Sequence, residues 1–135
     1  MADALGYDPS RSKVSDSTMT DFLRSQITGD VTEVPGIGPA AKRALAGGDD
    51  ESDRITNTFQ LIGKFLMLKG PDEDDMKIDC MEHMEKFWYW LKQKGIKSHR
   101  SAIVKAIGEK INTMIPGIYD ASIYAEDDDD EDDDE

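Results

Sequence analysis

The sequence is poor in several residue types on which common protein chemistries depend. It has one cysteine and two histidines in 135 residues, and no apolar run approaches the roughly 20 residues that span a bilayer. A single cysteine excludes an internal disulfide and suits a reducing compartment. Two histidines leave little room for acid–base chemistry, and no Ser-His-Asp or Cys-His-Asn set is evident. We therefore expect neither an enzyme nor a protein inserted in a membrane.

Two short clusters resemble metal sites, but their spacing argues against metal binding. Cys80 and His83 are three residues apart on a predicted helix, and His99 is the only other histidine, so no zinc site is expected. Asp72–Asp75 lacks the glycine and the ligand spacing of a calcium-binding loop. The methionines fit core packing or a partner surface better than a cofactor site. No metal ion and no cofactor is expected.

Negative charge dominates the composition but is unevenly distributed. The formal net charge is −13, and ten consecutive carboxylates at Glu126–Glu135 account for most of it, which leaves −3 for the rest. Within that remainder, Lys86–Lys110 carries seven Lys or Arg residues against one acid, a net charge of +6. The sequence thus predicts a basic region in an acidic chain. The tail is either a solubilising run, a segment that folds back over the basic face, or a binding site for basic partners such as histone tails.

Hydrophobic periodicity predicts helices, and no strand-like alternation appears. Residues 1–17 contain almost no large apolar side chains, so we expect a disordered arm there, followed by a helical domain over 18–120 and a disordered acidic tail over 121–135. The expected elements are a first helix that begins near Thr18–Thr20 and ends at Gly29-Asp30, one turn at Val31–Val34, helices at Pro39–Ala46, Arg54–Lys69 and Met76–Lys94, and a last helix capped by Ser98 and ended by Pro116-Gly117. The segment Arg54–Lys69 is predicted to be the central buried helix.

Four consecutive aromatic residues occupy Phe87–Trp90. Four adjacent positions cover a whole helical turn, so they cannot all face one core. We expect Trp90, with Phe87 or Leu91, to be buried. The others are left for a dimer or partner surface, because exposed aromatic side chains are otherwise a liability.

The segment Val34–Leu45 has the pattern of a helix-hairpin-helix: glycine, an apolar residue, glycine, and then a helix of small residues. Gly36 and Gly38 allow unusual backbone conformations and let a phosphate approach the bare backbone, while Ile37 anchors the hairpin. The next helix begins at a proline, and its free amides and dipole favour an anion at the hairpin mouth. Its other candidate contact residues are Ala40, Ala41, Lys42 and Arg43. The alternative interpretation is a glycine-rich turn between packed helices.

A second candidate contact lies at the start of the last helix. Lys97 and Arg100 flank a helix N-terminus that follows Gly95, a geometry that again suits an anion. The alternative is a solvated helix junction. Together with the hairpin, these residues would make two sets of contacts with the phosphates of one duplex. Phosphate contacts position a protein on DNA without specifying the base sequence.

The chain resembles the barrier-to-autointegration factor family of small chromatin proteins from Asp21 to about Ile115, about 70% of its length. The resemblance rests on Gly36-Ile37-Gly38 with Lys42, Arg43 and Leu45, on Leu61–Lys69, and on Phe87–Lys92. It implies a compact helical homodimer that binds duplex DNA without sequence preference and bridges two DNA segments. It also implies a nuclear location, docking of a small helical module of the LEM type, and phosphate contacts from the amides of Gly36, Gly38, Ala40 and Ala41 and from Lys97.

The chain departs from the family pattern at several places. Ala44 stands where the family has a lysine, and the region of Thr18 lacks the family's N-terminal basic contact. The connection over 70–82 is longer and acidic, and the family has no comparable acidic tail. These departures imply weaker and more regulated DNA binding.

The predicted fold class is all-α: a compact, SAM-like bundle of about five helices that contains a helix-hairpin-helix. The predicted function is non-specific binding and bridging of double-stranded DNA, in the nucleus with the cytoplasm as a second location. One alternative is a protein-interaction module whose tail binds histones or other basic partners. Another is an accessory subunit that delivers a nuclease or repair enzyme to DNA. Steep salt dependence favours the DNA-binding hypothesis over an apolar protein dock.

Overall fold

The computed structural model describes residues 6–12, 14–68 and 80–120. Within these ranges the chain forms five α-helices and no strands, which confirms the all-α class. The helices are α1 (Asp16–Arg24), α2 (Pro39–Ala46), α3 (Thr58–Met67), α4 (Cys80–Gln93) and α5 (Arg100–Asn112), with 3₁₀ helices at Pro9–Arg11, Val31–Glu33 and Glu51–Asp53. The predicted acidic tail at 121–135 lies outside the described residues, as do the first five residues and most of the acidic connection.

The last helix, α5, is the centre of the fold. It packs against α1, α3, α4 and the 3₁₀ helix Pro9–Arg11. Its buried apolar residues are Ala102, Ile103, Val104, Ala106, Ile107 and Ile111. Small residues let its neighbours approach closely: a Cβ on Gly108 would lie 3.0 Å from the Tyr119 ring and 3.3 Å from the Met84 sulfur. The prediction that Arg54–Lys69 holds the central position is wrong, because α3 leaves Phe59 and Met67 exposed.

Several helix boundaries differ from the predictions because other residues cap them. The α1 helix begins at Asp16, where the Ser15 hydroxyl accepts from the Thr18 amide. The α3 helix begins four residues later than predicted, since Asn57 caps it by accepting from the amide of Gln60. Before α5 the cap position is held by His99, in the left-handed region at φ +64°, and not by the predicted Ser98.

The segment that we call the N-terminal strap (residues 6–12) differs from the predicted disordered arm. The Glu85 carboxylate accepts hydrogen bonds from the amides of Gly6 and Tyr7 at 2.7 and 2.6 Å. The Asp8 amide donates to the Ser101 hydroxyl at 3.0 Å. A distant carboxylate and hydroxyl thus satisfy the strap's backbone, and nothing in the local composition of the arm signals such a partner.

The strap also contacts Tyr119, near the C-terminal end of the described residues. The hydroxyls of Tyr7 and Tyr119 lie 2.7 Å apart, and both side chains are buried. Burial raises the pKa of Tyr119 to about 12, so its hydroxyl stays protonated at neutral pH. Ile118 is buried as well, so the packed residues continue past Pro116-Gly117 and still lie within the predicted helical domain over 18–120.

The aromatic run on α4 divides between core and surface, as expected. Phe87, Trp90 and Leu91 are buried, whereas Tyr89 is 41% exposed. Trp88 is half-buried because other groups cover its ring: the Arg100 guanidinium lies 4.3 Å from the ring centroid. This contact fixes the start of α5 against α4.

Glu33, which follows α1, links the chain before the hairpin to the start of α3. Its carboxylate accepts from the Thr58 hydroxyl at 2.6 Å and from the amides of Thr28 and Gly29 at 2.9 and 3.1 Å. Burial alone would raise the pKa of this carboxyl, but the hydrogen bonds outweigh it and hold the pKa below its usual range. Glu33 is therefore ionised in the folded protein at neutral pH.

We expect this carboxylate to make the fold sensitive to acid. A lowered pKa contributes stability that is present above the unfolded-state pKa of about 4 and is lost as pH falls through the folded-state value. Glu33→Gln should cost about 1–3 kcal/mol of unfolding free energy at pH 7 and flatten the dependence of that free energy on pH below about 5. Urea titrations at pH 3 to 7 measure both effects. An equal loss at every pH would contradict the assignment.

Candidate nucleic-acid interface

The hairpin between the 3₁₀ helix and α2 is built on Gly36 and Ile37. Ile37 is buried, as expected of the anchor, and its amide donates to the carbonyl of Val34 at 3.0 Å. Gly36 has φ +100°, and a Cβ there would lie 3.0 Å from the Ile103 side chain and 3.2 Å from the His99 carbonyl oxygen. Glycine is thus required at position 36 both by the backbone conformation and by the close packing on α5.

Gly38 has a different role, because it faces open space. No heavy atom lies within 4 Å of the position that its Cβ would take, and its φ of −105° suits any residue. As the N-cap residue of α2 it offers no side chain to the first amides of the helix. The amides of Ala40 and Ala41 therefore receive no side-chain cap, and the positive end of the α2 dipole is open to an anion.

These groups open into a surface depression of about 590 Å³, which we call the hairpin cleft. It is lined by Ser12, Val14, Ser15, Thr18, Pro35, Gly36, Ile37, Gly38, His99 and Ala102. The N-termini of α1, α2 and α5 all meet this cleft, through Ser15, Gly38 and His99. Three helix N-termini, with hydroxyl groups and no lining carboxylate, provide an environment that favours phosphate.

Two predicted cations lie on α2 next to the cleft, and both are exposed. The Lys42 amine lies 3.9 Å from the Asp30 carboxylate, which hydrogen bonds from Thr32 keep at a lowered pKa. Part of the Lys42 charge is thereby offset. Arg43 has no carboxylate within 4 Å among the described residues, so its full charge is available to an approaching polyanion.

The second predicted phosphate contact lies in another depression, of about 390 Å³, which we call the basic pocket. Its lining residues are Gly6, Arg11, Trp88, Lys97, Ser98, His99, Arg100 and Ser101, which include three permanent cations and no carboxylate. Lys97 is exposed, but Arg100 is held by Trp88 and by a 2.6 Å hydrogen bond to the Ile96 carbonyl. Arg100 therefore presents its charge from a fixed position.

The structure brings most predicted contact residues together and adds others. His99 lines both the hairpin cleft and the basic pocket, so the two form one continuous surface. Sequence reasoning missed Arg11 and Ser15 as members of this surface, whereas His99 lies between the predicted residues Lys97 and Arg100. Only Ser15 had a local signal, as a hydroxyl before a helix. The position of Arg11 depends on the bonds that hold the strap, at residues distant in sequence.

The possible metal ligands on α4 lie inside the core. His83 is 1% exposed, its Nε2 lies 2.7 Å from the Phe65 carbonyl oxygen, and its ring stacks on Phe65 at 4.2 Å. No group of three or more His, Cys, Asp or Glu residues within the described ranges is arranged to hold a metal ion. None of the helices described is long and apolar enough to cross a bilayer.

Comparisons with known proteins yield no family model, no curated protein and no solved structure that matches the chain. Its function is therefore argued from the geometry of the hairpin cleft and the basic pocket.

Proposed function

We propose that this protein binds the phosphate backbone of double-stranded DNA without reading its base sequence. The observation that carries the proposal is the open, uncapped N-terminus of α2 at Gly38, placed at a cleft where two further helices begin. Such a cleft suits a phosphate diester. The exposed cations of α2 lie on the helix that begins at this cleft, and Lys97 lines the adjoining basic pocket, so these cations can follow the backbone of a duplex.

The composition of this surface argues against base recognition. Base reading in the major groove needs a protruding helix or ribbon with side chains that match the donors and acceptors of the base edges. The hairpin cleft instead presents backbone amides, hydroxyls and small side chains. These groups fit phosphate oxygens and carry no sequence information.

A second copy of the chain would allow one assembly to bridge two DNA segments. The α3 helix exposes Phe59 by 60% and Met67 by 74%, beside the half-buried Ile62 and Leu66. Gly63 on this helix has no heavy atom within 4 Å of its would-be Cβ, so a partner helix can approach closely. We propose that α3 pairs with α3 of another copy, since an apolar helix face of this kind requires a cover.

This proposal agrees with the resemblance to the barrier-to-autointegration factor family and to a SAM-like helical arrangement. It includes a role in chromatin, a nuclear location with the cytoplasm as a second one, and no catalytic activity. Docking of a LEM-type helical module on the dimer, or of histones, belongs to the same proposal and rests on the resemblance and on the tail sequence.

Salt dependence provides the test of DNA binding. Five cations flank the two depressions, so the logarithm of the binding constant should fall against the logarithm of salt concentration with a slope of roughly −4 to −5. Fluorescence anisotropy with two unrelated duplexes, on the intact chain and on a chain ending at Ala125, measures the slope and the sequence preference. Sedimentation of the intact chain without DNA should give twice the 15.1 kDa chain mass.

Failure of both forms to bind either duplex at low salt would overturn the proposal. The hairpin would then be a structural turn, and the protein-interaction alternative would take its place. Affinities that differ strongly between the two duplexes would contradict backbone recognition alone.

A further inference from the structure

The C-terminal end of the described chain lies beside the strap that forms one wall of the basic pocket. Tyr119 reaches the strap through its 2.7 Å contact with the Tyr7 hydroxyl. Gly6, next to Tyr7, lines the basic pocket. The Asp8 amide donates a hydrogen bond to the hydroxyl of Ser101, which lines the same pocket. Whatever follows Asp120 therefore begins close to this pocket.

The positive charges of the basic pocket are largely unpaired among the described residues. Neither Lys97 nor Arg100 has a carboxylate within 4 Å among the described residues, and Arg11 has only a 3.6 Å contact to Asp8. His99, at the cap position of α5, supplies no side-chain cap, so the first amides of that helix add to the positive potential. An occupant with several adjacent negative charges would satisfy all of these groups together.

The chain carries such an occupant, six residues beyond Asp120. Glu126–Glu135 is ten consecutive carboxylates. The Asp120 amide lies 3.3 Å from the Cys80 Sγ at the start of α4, eight residues or about 12 Å along that helix from Trp88 in the pocket. Six extended residues span about 20 Å, which is enough for the first acids to reach it. We propose that the acidic tail docks in the basic pocket of its own chain and is displaced when DNA binds there. The docking itself needs no DNA, while its effect on DNA affinity rests on the proposed function.

Attachment to the same chain makes even a weak contact effective. A short linker gives the tail an effective concentration on the order of millimolar. If the free tail peptide bound with a Kd of about 0.1 mM, the pocket would be covered about ten times as often as it is open. DNA would then bind the intact chain about tenfold more weakly than a chain ending at Ala125, because only the open fraction is competent.

Amide chemical shifts of the intact chain and of the chain ending at Ala125 test the docking directly, without DNA. Removing the tail should shift the signals of the strap and of Lys97–Ser101, and about 0.5 M salt should erase the difference. A matched control keeps the tail length but replaces its ten carboxylates by the corresponding amides, and its spectrum should equal that of the shortened chain. Shifts confined to Tyr119, Asp120 and their neighbours would overturn the proposal.

Two further measurements separate the alternatives. A labelled chain without the tail, mixed with unlabelled intact chain, should keep its own spectrum; if it acquires the shifts of the intact chain, the tail acts on another copy and the proposal is wrong. Arg11→Gln should weaken the docking, seen as a smaller shift difference on tail removal. If the shift experiment succeeds but neither form binds DNA, the docking stands and the proposed function fails.

Discussion

Replacing Gly38 by glutamate should reduce the affinity for duplex DNA about 100-fold while leaving the fold intact. The new carboxylate would stand at the uncapped start of α2, where we place a phosphate, and juxtaposed like charges cost several kcal/mol. The backbone at Gly38 accepts any residue, and its side-chain position is open, so the substitution introduces no strain. Anisotropy titration with a random-sequence duplex measures the loss.

The matched control is Gly38→Gln, which has the same size and no charge. It should lose far less affinity than the glutamate variant, and the melting temperatures of both should stay close to that of the parent. Equal losses for the two variants would mean that the side chain blocks access and that charge is not the cause. Unchanged affinity in both would remove the hairpin cleft from the DNA interface.

The neighbouring glycine is not a useful probe, although the sequence pattern treats the two alike. A side chain at Gly36 would collide with Ile103 and with the His99 carbonyl oxygen, and φ +100° is strained for any other residue. A loss of DNA binding in Gly36→Glu would therefore report damage to the hairpin. The two glycines serve different purposes: Gly36 fits the hairpin to α5, and Gly38 leaves room for a ligand.

Replacing Lys110 by methionine should lower the unfolding free energy by about 3 kcal/mol. The buried Lys110 amine donates to the carbonyls of Phe22, Leu23 and Ser25 at the end of α1. Methionine fills similar space but removes all three hydrogen bonds and leaves Phe22 with only the 3.3 Å bond from the Ser25 amide. Bonds to a charged donor contribute about 1.5–3 kcal/mol each, not additively. Burial lowers the pKa of Lys110.

Urea unfolding measures this loss. A matched control is Lys105→Met, also on α5, where no hydrogen bond to α1 is lost and a much smaller change is expected. Because α1 begins at the hairpin cleft, Lys110→Met should also weaken DNA binding, but less than Gly38→Glu does. A stability equal to that of the parent would show that water can replace the amine and that Lys110 does not hold α1.

The sequence predicted the helices and the hairpin because their signals are local. Proline at the first position of α2, two glycines and a buried isoleucine determine the hairpin within a few residues. The choice of central helix failed, because hydrophobicity along α3 is high while the packing is decided by small residues such as Ala106 and Gly108 on α5. A small residue gives no periodic signal, yet it lets neighbouring helices approach from several sides.

The candidate site, like the fold, was predictable only where its sequence signals are local. The residues of the hairpin follow from the sequence pattern, whereas Arg11 reaches the site through contacts between residues far apart in sequence. The bonds from Gly6 and Tyr7 to Glu85 span nearly 80 positions. The composition of residues 1–17 cannot indicate that a carboxylate on α4 accepts hydrogen bonds from these amides. The sequence therefore predicted a disordered arm in place of the strap.

The position of α5 has a consequence for how the molecule is made. The helix that contacts α1, α3 and α4 is the last of the five to leave the ribosome, and the Tyr7–Tyr119 contact joins residues 112 positions apart. Earlier segments lack the apolar surface of α5 to pack against until residue 112 has been synthesised, and closing so large a loop carries an entropic cost. The basic pocket is lined by the strap and by the start of α5, so it forms only after α5 has been synthesised. A nascent chain that does not yet include α5 therefore lacks a complete basic pocket in which a polyanion could bind.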